Sequence, residues 1–115
     1  MRSIRETPLT ARNPDLAIFE IGTVVARDGY IHSAPQLLVE VLSPANTRRE
    51  REEKLNDYAE LGVPEVWVIS HEARTVEVLQ LDGGQLKRIQ IVASGTLTPK
   101  LFPQVSVEIA KIWPE

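Results

Sequence analysis

The chain has 115 residues, of which 43% are hydrophobic and 25% charged, a composition typical of one soluble globular domain. The absence of cysteine excludes disulfides, thiol nucleophiles and cysteine-zinc sites. No apolar run approaches the roughly 20 residues of a membrane span, and residues 1–5 lack a signal-peptide pattern, so we expect a cytoplasmic protein without membrane partners. The net charge of −3 does not fit nucleic-acid binding through phosphate contacts alone, although a metal ion or local positive charge could supply the cation.

The first 35 residues predict few regular elements. A short strand could form within residues 1–10, which are polar and weakly patterned. Asn13-Pro14 is a turn signal, and residues 15–19 follow as a strand of the buried type. Residues 20–35 are predicted to form a loop with one short helical turn.

Residues 37–42 place a carboxylate in the middle of an apolar strand. Both faces of this strand are apolar, as expected where a sheet is covered on both sides, except at Glu40. An ionised carboxylate there is costly unless a cation, a metal ion or several hydrogen-bond donors meet it. We therefore expect a partner for Glu40 nearby.

A charged helix is predicted directly after this strand. Ser43-Pro44 breaks the strand, and Asn46 or Thr47 can cap a helix that runs to about Leu61. Gly62 is well placed as its C-terminal stop.

The helix has one face that we expect to point toward the sheet. Lys54, Tyr58 and Leu61 fall at i, i+4 and i+7, and therefore share one stripe. Lys54 should point inward or to the sheet edge. By contrast, the basic cluster Arg48, Arg49 and Arg51 is interleaved with three glutamates, which is typical of a solvated face of mixed charge.

The remaining elements complete an α/β architecture with a mixed sheet. Residues 66–69 form a continuous apolar run, and a strand there, reached through the helix, should lie parallel to the Glu40 strand in a βαβ crossover. Residues 75–81 and 85–92 flank Asp82-Gly83-Gly84, a strong hairpin signal. The tail, residues 96–115, could add an edge strand at Val105, Val107 and Ile109.

This topology can bring three chemically useful groups together. Asp15 begins one strand, Glu40 lies inside a second, and Lys54 faces inward from the helix. Two carboxylates on adjacent strands can share a hard divalent cation such as Mg²⁺, or Mn²⁺, and a neighbouring lysine can orient a water molecule or stabilise a phosphate. His32 and His71 stand alone, without ligand spacing, and are expected in exposed loops.

An ordered series of motifs resembles the Uma-type restriction endonuclease family, which belongs to the PD-(D/E)XK nuclease superfamily. The motifs are Asn-Pro-Asp-Leu at 13–16, Val-Glu-Val-Leu-Ser-Pro at 39–44, Lys54 and Tyr58, Gly-Val-Pro-Glu-Val-Trp at 62–67, Ala-Arg-Thr-Val-Glu-Val at 73–78, and the Asp-Gly-Gly turn. The resemblance implies a restriction-endonuclease-like fold and Mg²⁺-dependent hydrolysis of DNA phosphodiester bonds. It also implies that Asp15 and Glu40 bind the metal as catalytic residues. Leu42 stands where the superfamily pattern has lysine, and the resemblance implies that Lys54 takes that role from the helix.

The sequence also leaves alternatives open. Residues 1–115 are expected to form a single domain that lacks the family's N-terminal helix and hairpin, which favours a homodimer that covers exposed apolar surface. A catalytically silent module acting in dimerisation or protein interaction is therefore the competing hypothesis. In that case Glu40 and Lys54 form a structural ion pair and Asp15 caps a turn. Tyr58 is expected mainly in the core, and Ser43 in the turn that leads into the helix.

Overall fold

The computed structural model describes residues 15–19, the backbone of strand residues 26–27 and 30–31, and residues 34–113. The strand predicted within residues 1–10, the turn at Asn13-Pro14 and the placement of His32 lie outside the described residues. In chain order the elements are β1 (Leu16–Ile18), β2 (Ala26–Arg27), β3 (Tyr30–Ile31), β4 (Leu37–Val41), α1 (Arg48–Leu61), β5 (Glu65–Ser70), β6 (Thr75–Asp82), β7 (Gln85–Val92), β8 (Thr96–Leu97), β9 (Val107–Glu108) and a 3₁₀ turn (Ile109–Lys111).

A five-stranded mixed sheet organises the molecule, in the order β1-β4-β5-β6-β7. The predicted crossover is confirmed, because β4 and β5 are parallel and α1 connects them. The other neighbours in the sheet are antiparallel. The predicted hairpin of β6 and β7 is confirmed too, with a bulge between Val78 and Leu79.

Helix α1 begins and ends where its caps predict. Thr47 is the N-cap and forms a capping box with Glu50, in which each side chain accepts a hydrogen bond from the other residue's backbone N–H. Gly62 ends the helix with φ of 86°, a left-handed conformation that costs glycine little. Among the described residues, no helix is long and apolar enough to cross a membrane.

The two faces of the sheet carry separate hydrophobic cores. On one face, α1 packs over the strands with Tyr58 at the centre. On the other face, the chain after β7 folds back over Trp67. The buried residues of the helix-side core are Leu38, Tyr58, Val63, Val66, Val68 and Leu79, and those of the opposite core are Leu37, Trp67, Val76, Val78, Leu97 and Ile109.

The expectation that the tail adds an edge strand to the main sheet is wrong. Strand β9 does not extend the main sheet at an edge but pairs with β8 in a separate two-stranded ribbon. The tail lies over a sheet face and is held there by two contacts. The buried Glu65 carboxylate accepts a hydrogen bond from the backbone N–H of Lys100 at 2.7 Å, and the Ile109 side chain is buried in the core on that face. Within residues 20–35, β2 and β3 pair antiparallel. Most of this segment, and with it any test of the expected helical turn, lies outside the described residues.

Candidate active site

Glu40 lies on the helix side of β4, and both of its carboxylate oxygens have partners. Lys54 Nζ donates to Oε1 at 3.0 Å, and the Tyr58 hydroxyl donates to Oε2 at 2.6 Å. Glu40 is 8% exposed and Tyr58 is fully buried. A buried carboxylate is tolerated under these conditions because a cation and a neutral donor replace its lost hydration.

The helix sequence sets this arrangement. Lys54 and Tyr58 are one turn apart, so their side chains lie above one another on the face of α1 that covers β4. The prediction that Lys54 points inward is confirmed, with 30% of its side chain still exposed. The sequence interpretation missed Tyr58 as a partner of Glu40, although the i, i+4 spacing from Lys54 was the signal for it.

Asp15 lies beside Glu40 at the edge of the sheet. β1 and β4 pair antiparallel with Leu16 opposite Val39, and this register continued by one residue sets Asp15 opposite Glu40 on the same face. Asp15 Oδ2 accepts the backbone N–H of Val41 at 2.7 Å, which fixes the carboxylate against β4. Asp15 is exposed, and its Oδ1 has no hydrogen bond to any described residue.

A pocket of about 240 Å³ opens above Glu40, between β4 and the first half of α1. The structure therefore brings Glu40 and Lys54 together in one pocket and leaves Asp15 beside it, since Asp15 is not among the lining residues. The lining consists of Glu40, Val41, Leu42, Asn46, Glu50, Arg51, Glu53, Lys54, Leu55, Tyr58 and Val68.

The donor set fits a hard cation that needs few protein ligands. Within the described ranges, no group of three or more acidic, histidine or cysteine side chains could hold a metal ion. Two carboxylates on facing positions of adjacent strands nevertheless suit Mg²⁺, which usually keeps several waters and takes one or two carboxylates. Asp15 and Glu40 supply such a pair, because each carboxylate oxygen has two lone pairs and can accept more than one partner.

The electrostatics at the pocket mouth come from the helix start. Hydrogen bonds from the backbone and then the side chain of Thr47 hold the pKa of the Glu50 carboxyl below its ordinary value, and the charge of Lys54 acts in the same direction. Glu50 therefore stays ionised at neutral pH and keeps its hydrogen bond to the Thr47 backbone at the helix cap.

Ser43 lies in the turn before the helix, as expected, and its hydroxyl accepts the backbone N–H of Ala45. His71 is exposed, also as expected.

Comparisons with known proteins agree on the fold. The family model Uma2, described as "Putative restriction endonuclease", matches residues 3–110. The crystal structure of a putative nuclease belonging to DUF820 from Anabaena variabilis superposes with a TM-score of 0.67 at 17% sequence identity. The match covers 87% of this chain and 58% of that chain, so the chain spans little more than half the length of this relative. A search of curated proteins found no match.

Proposed function

The chain belongs to the Uma2 family of putative restriction endonucleases, and on that premise we propose that it is a divalent-metal-dependent endonuclease that hydrolyses phosphodiester bonds in DNA. The observation that carries the proposal is the buried Glu40 carboxylate, held between Lys54 and Tyr58. Asp15 stands directly before the adjacent strand β1, where the register continued by one residue sets it opposite Glu40. Two carboxylates and an inward lysine are the groups that metal-assisted phosphodiester hydrolysis uses.

Asp15 and Glu40 are the residues that would hold Mg²⁺, or Mn²⁺. When bound, the ion would act as a Lewis acid toward the phosphate and lower the pKa of a coordinated water molecule. Tyr58 and the Val41 backbone keep the two carboxylates oriented, since each fixes one carboxylate oxygen.

Lys54 is proposed to act on the reacting phosphate. Its ammonium group donates one N–H to Glu40. The two remaining N–H donors can orient a water molecule or bind a phosphate oxygen. In the hydrolysis, the water molecule loses a proton as its oxygen forms a bond to phosphorus, the bond from phosphorus to the leaving ester oxygen breaks, and the leaving oxygen takes up a proton. Stabilisation of the negative charge that develops on the phosphate lowers the barrier.

An apolar groove on the opposite sheet face favours a second candidate function, a silent module that associates with another copy. The groove has a volume of about 270 Å³ and a lining without polar surface. Leu16 and Val105, which line it, are 51% and 39% exposed. Homodimerisation through this groove belongs to both hypotheses, because it would cover apolar surface whether or not the enzyme is active.

A cytoplasmic location completes the proposal and suits a chain without cysteine.

Cleavage of supercoiled plasmid DNA tests the endonuclease proposal. We expect nicked or linear product with Mg²⁺ or Mn²⁺ and none with EDTA, and we expect loss of product in Asp15→Asn, Glu40→Gln and Lys54→Met. Glu108→Gln is the matched control, because this exposed carboxylate lies on β9, outside the lining of the pocket above Glu40. Product that is absent from the wild type, or that persists unchanged in the first three variants, rejects the endonuclease and leaves the silent module.

A further inference from the structure

Arg51 belongs to the inward stripe of α1, although its sequence context suggested a solvated face. It precedes Lys54 by three residues and Tyr58 by seven, so the three side chains lie along one side of the helix. Arg51 is half-buried and lines the pocket above Glu40. The expectation of a solvated face is met by Arg48 and Arg49, whose side chains are 85% and 88% exposed, but not by Arg51.

The charges along α1 leave Arg51 as the cation available to a ligand. Within the described part of the chain, no carboxylate lies within ion-pair distance of Arg51. The other three cations of the helix are each paired: Arg48 with Glu52 at 3.9 Å, Arg49 with Glu53 at 3.7 Å, and Lys54 with Glu40 at 3.0 Å.

The other charged groups of the pocket are already engaged. Glu50 is committed to the helix cap, and Glu53 lies beside Arg49. The charge of Lys54 is balanced by Glu40. An anion that enters this pocket would therefore meet the guanidinium of Arg51 as the cation without a carboxylate partner among the described residues.

We propose that Arg51 binds a phosphodiester group of DNA and holds it at the pocket above Glu40. The inference rests on the proposed nuclease function and names a substrate contact that this function needs. A guanidinium presents a planar fork of donors that matches two phosphate oxygens, whereas an ammonium group acts as a point charge. In a chain with a net charge of −3, such a local cation is the kind of group that can attract a phosphate.

Binding of a fluorescently labelled DNA duplex, measured by anisotropy with Ca²⁺ in place of Mg²⁺, tests this contact apart from catalysis. We expect Arg51→Ala to weaken binding about ten-fold, as for loss of a charge-assisted hydrogen bond. The salt slope, meaning the slope of the logarithm of the binding constant against the logarithm of the salt concentration, should fall in magnitude by about one, because one fewer counterion is released. Arg51→Lys should keep the salt slope but recover only part of the affinity. Arg48→Ala is the matched control, an exposed arginine of the same helix outside the pocket lining, and should change affinity less than two-fold, about the scatter of a surface substitution.

The outcomes separate this inference from the proposed function. Equal losses in Arg51→Ala and Arg48→Ala, or wild-type protein that binds no duplex, overturn the phosphate contact. Plasmid cleavage by the wild type together with unchanged binding in Arg51→Ala overturns the contact and leaves the nuclease. Arg51-dependent binding without any cleavage supports the contact and rejects the nuclease. Thermal unfolding of each variant checks that the fold is intact.

Discussion

At the scale of single residues, the site depends on how a buried carboxylate is stabilised. Glu40 is placed by its strand among apolar neighbours, and α1 returns two donors to it from consecutive turns. Lys54 supplies charge and remains partly exposed, whereas Tyr58 supplies a short hydrogen bond in a fully buried position. Lys54 can therefore serve a substrate, while the buried Tyr58 hydroxyl orients Glu40 and makes Tyr58 a positioning residue.

Tyr58→Phe should destabilise the fold by about 1–3 kcal/mol, because it leaves a buried carboxylate oxygen without its donor while the ring packing is retained. Urea unfolding at neutral pH measures this loss. The control is the same substitution in a Glu40→Gln background, where the cost should shrink because the charged acceptor is gone. An equal cost in both backgrounds would mean that the hydroxyl does not act through Glu40.

The sequence predicted the partnership of Glu40 and Lys54, because a charge in a buried strand demands a cation and the helix stripe offered one. It did not predict Tyr58 as the second donor, because an aromatic residue on an apolar stripe is satisfied equally well by packing. It also misplaced Arg51. Three arginines interleaved with three glutamates over residues 48–53 look equivalent in sequence, and only the turn of the helix over the sheet separates the half-buried Arg51 from the exposed Arg48 and Arg49.

At the scale of elements, α1 is the part that assembles the pocket. Its mixed charges give it a weak apolar face, so its start and end are set by caps more than by a broad hydrophobic stripe. Thr47 and Gly62 thereby fix which residues face β4. Capping residues act locally, which is why the bounds of this helix were predictable from sequence, whereas the path of the tail depends on a distant contact between Glu65 and Lys100.

Thr47→Ala should cost about 1 kcal/mol of unfolding free energy, because the backbone N–H of Glu50 loses its acceptor at the helix start. Chemical denaturation measures the change. Thr96→Ala, at an exposed position of β8 away from the helix, is the matched control and should cost less. A cost no larger than that of the control would show that the capping box contributes nothing to the fold.

Glu50 gives the helix a stability that depends on pH. The pKa of its carboxyl is lowered in the folded chain, so its contribution is complete above the ordinary carboxyl pKa and is lost as the pH falls through the folded value. Glu50→Gln should therefore be less stable than the wild type at neutral pH, and the difference should close in acid. Thermal unfolding across the acidic range measures the gap, and a gap that widens as the pH falls would contradict the lowered pKa.

At the scale of the whole molecule, the two sheet faces differ in chemical character. The helix-side face carries the polar pocket, and the opposite face carries the apolar groove beneath the tail. Sequence alone predicted the parallel pair of β4 and β5 and the antiparallel hairpin of β6 and β7, because the crossover and the hairpin are local signals. It could not predict that the tail crosses a sheet face, since that path is set by contacts between residues far apart in sequence.

Val105→Asp tests whether the groove joins two copies. We expect the wild-type chain to sediment as a dimer and the variant as a monomer, because a carboxylate in an apolar interface is costly to desolvate. Ile91→Asp is the control, an equally drastic change at an exposed position of β7 outside the groove, and should remain dimeric. A monomeric wild type, or dimers in both variants, would contradict association through this groove.

Calorimetric titration with Mn²⁺ and Mg²⁺ tests the central claim most directly, namely that Asp15 and Glu40 form one metal site across two strands. We predict one divalent ion bound per chain in the wild type. Binding should be lost or strongly weakened in Asp15→Asn and in Glu40→Gln separately, while Glu108→Gln is unchanged. A wild type that binds no ion, or binding that survives in both single variants, would contradict a shared metal site at these carboxylates.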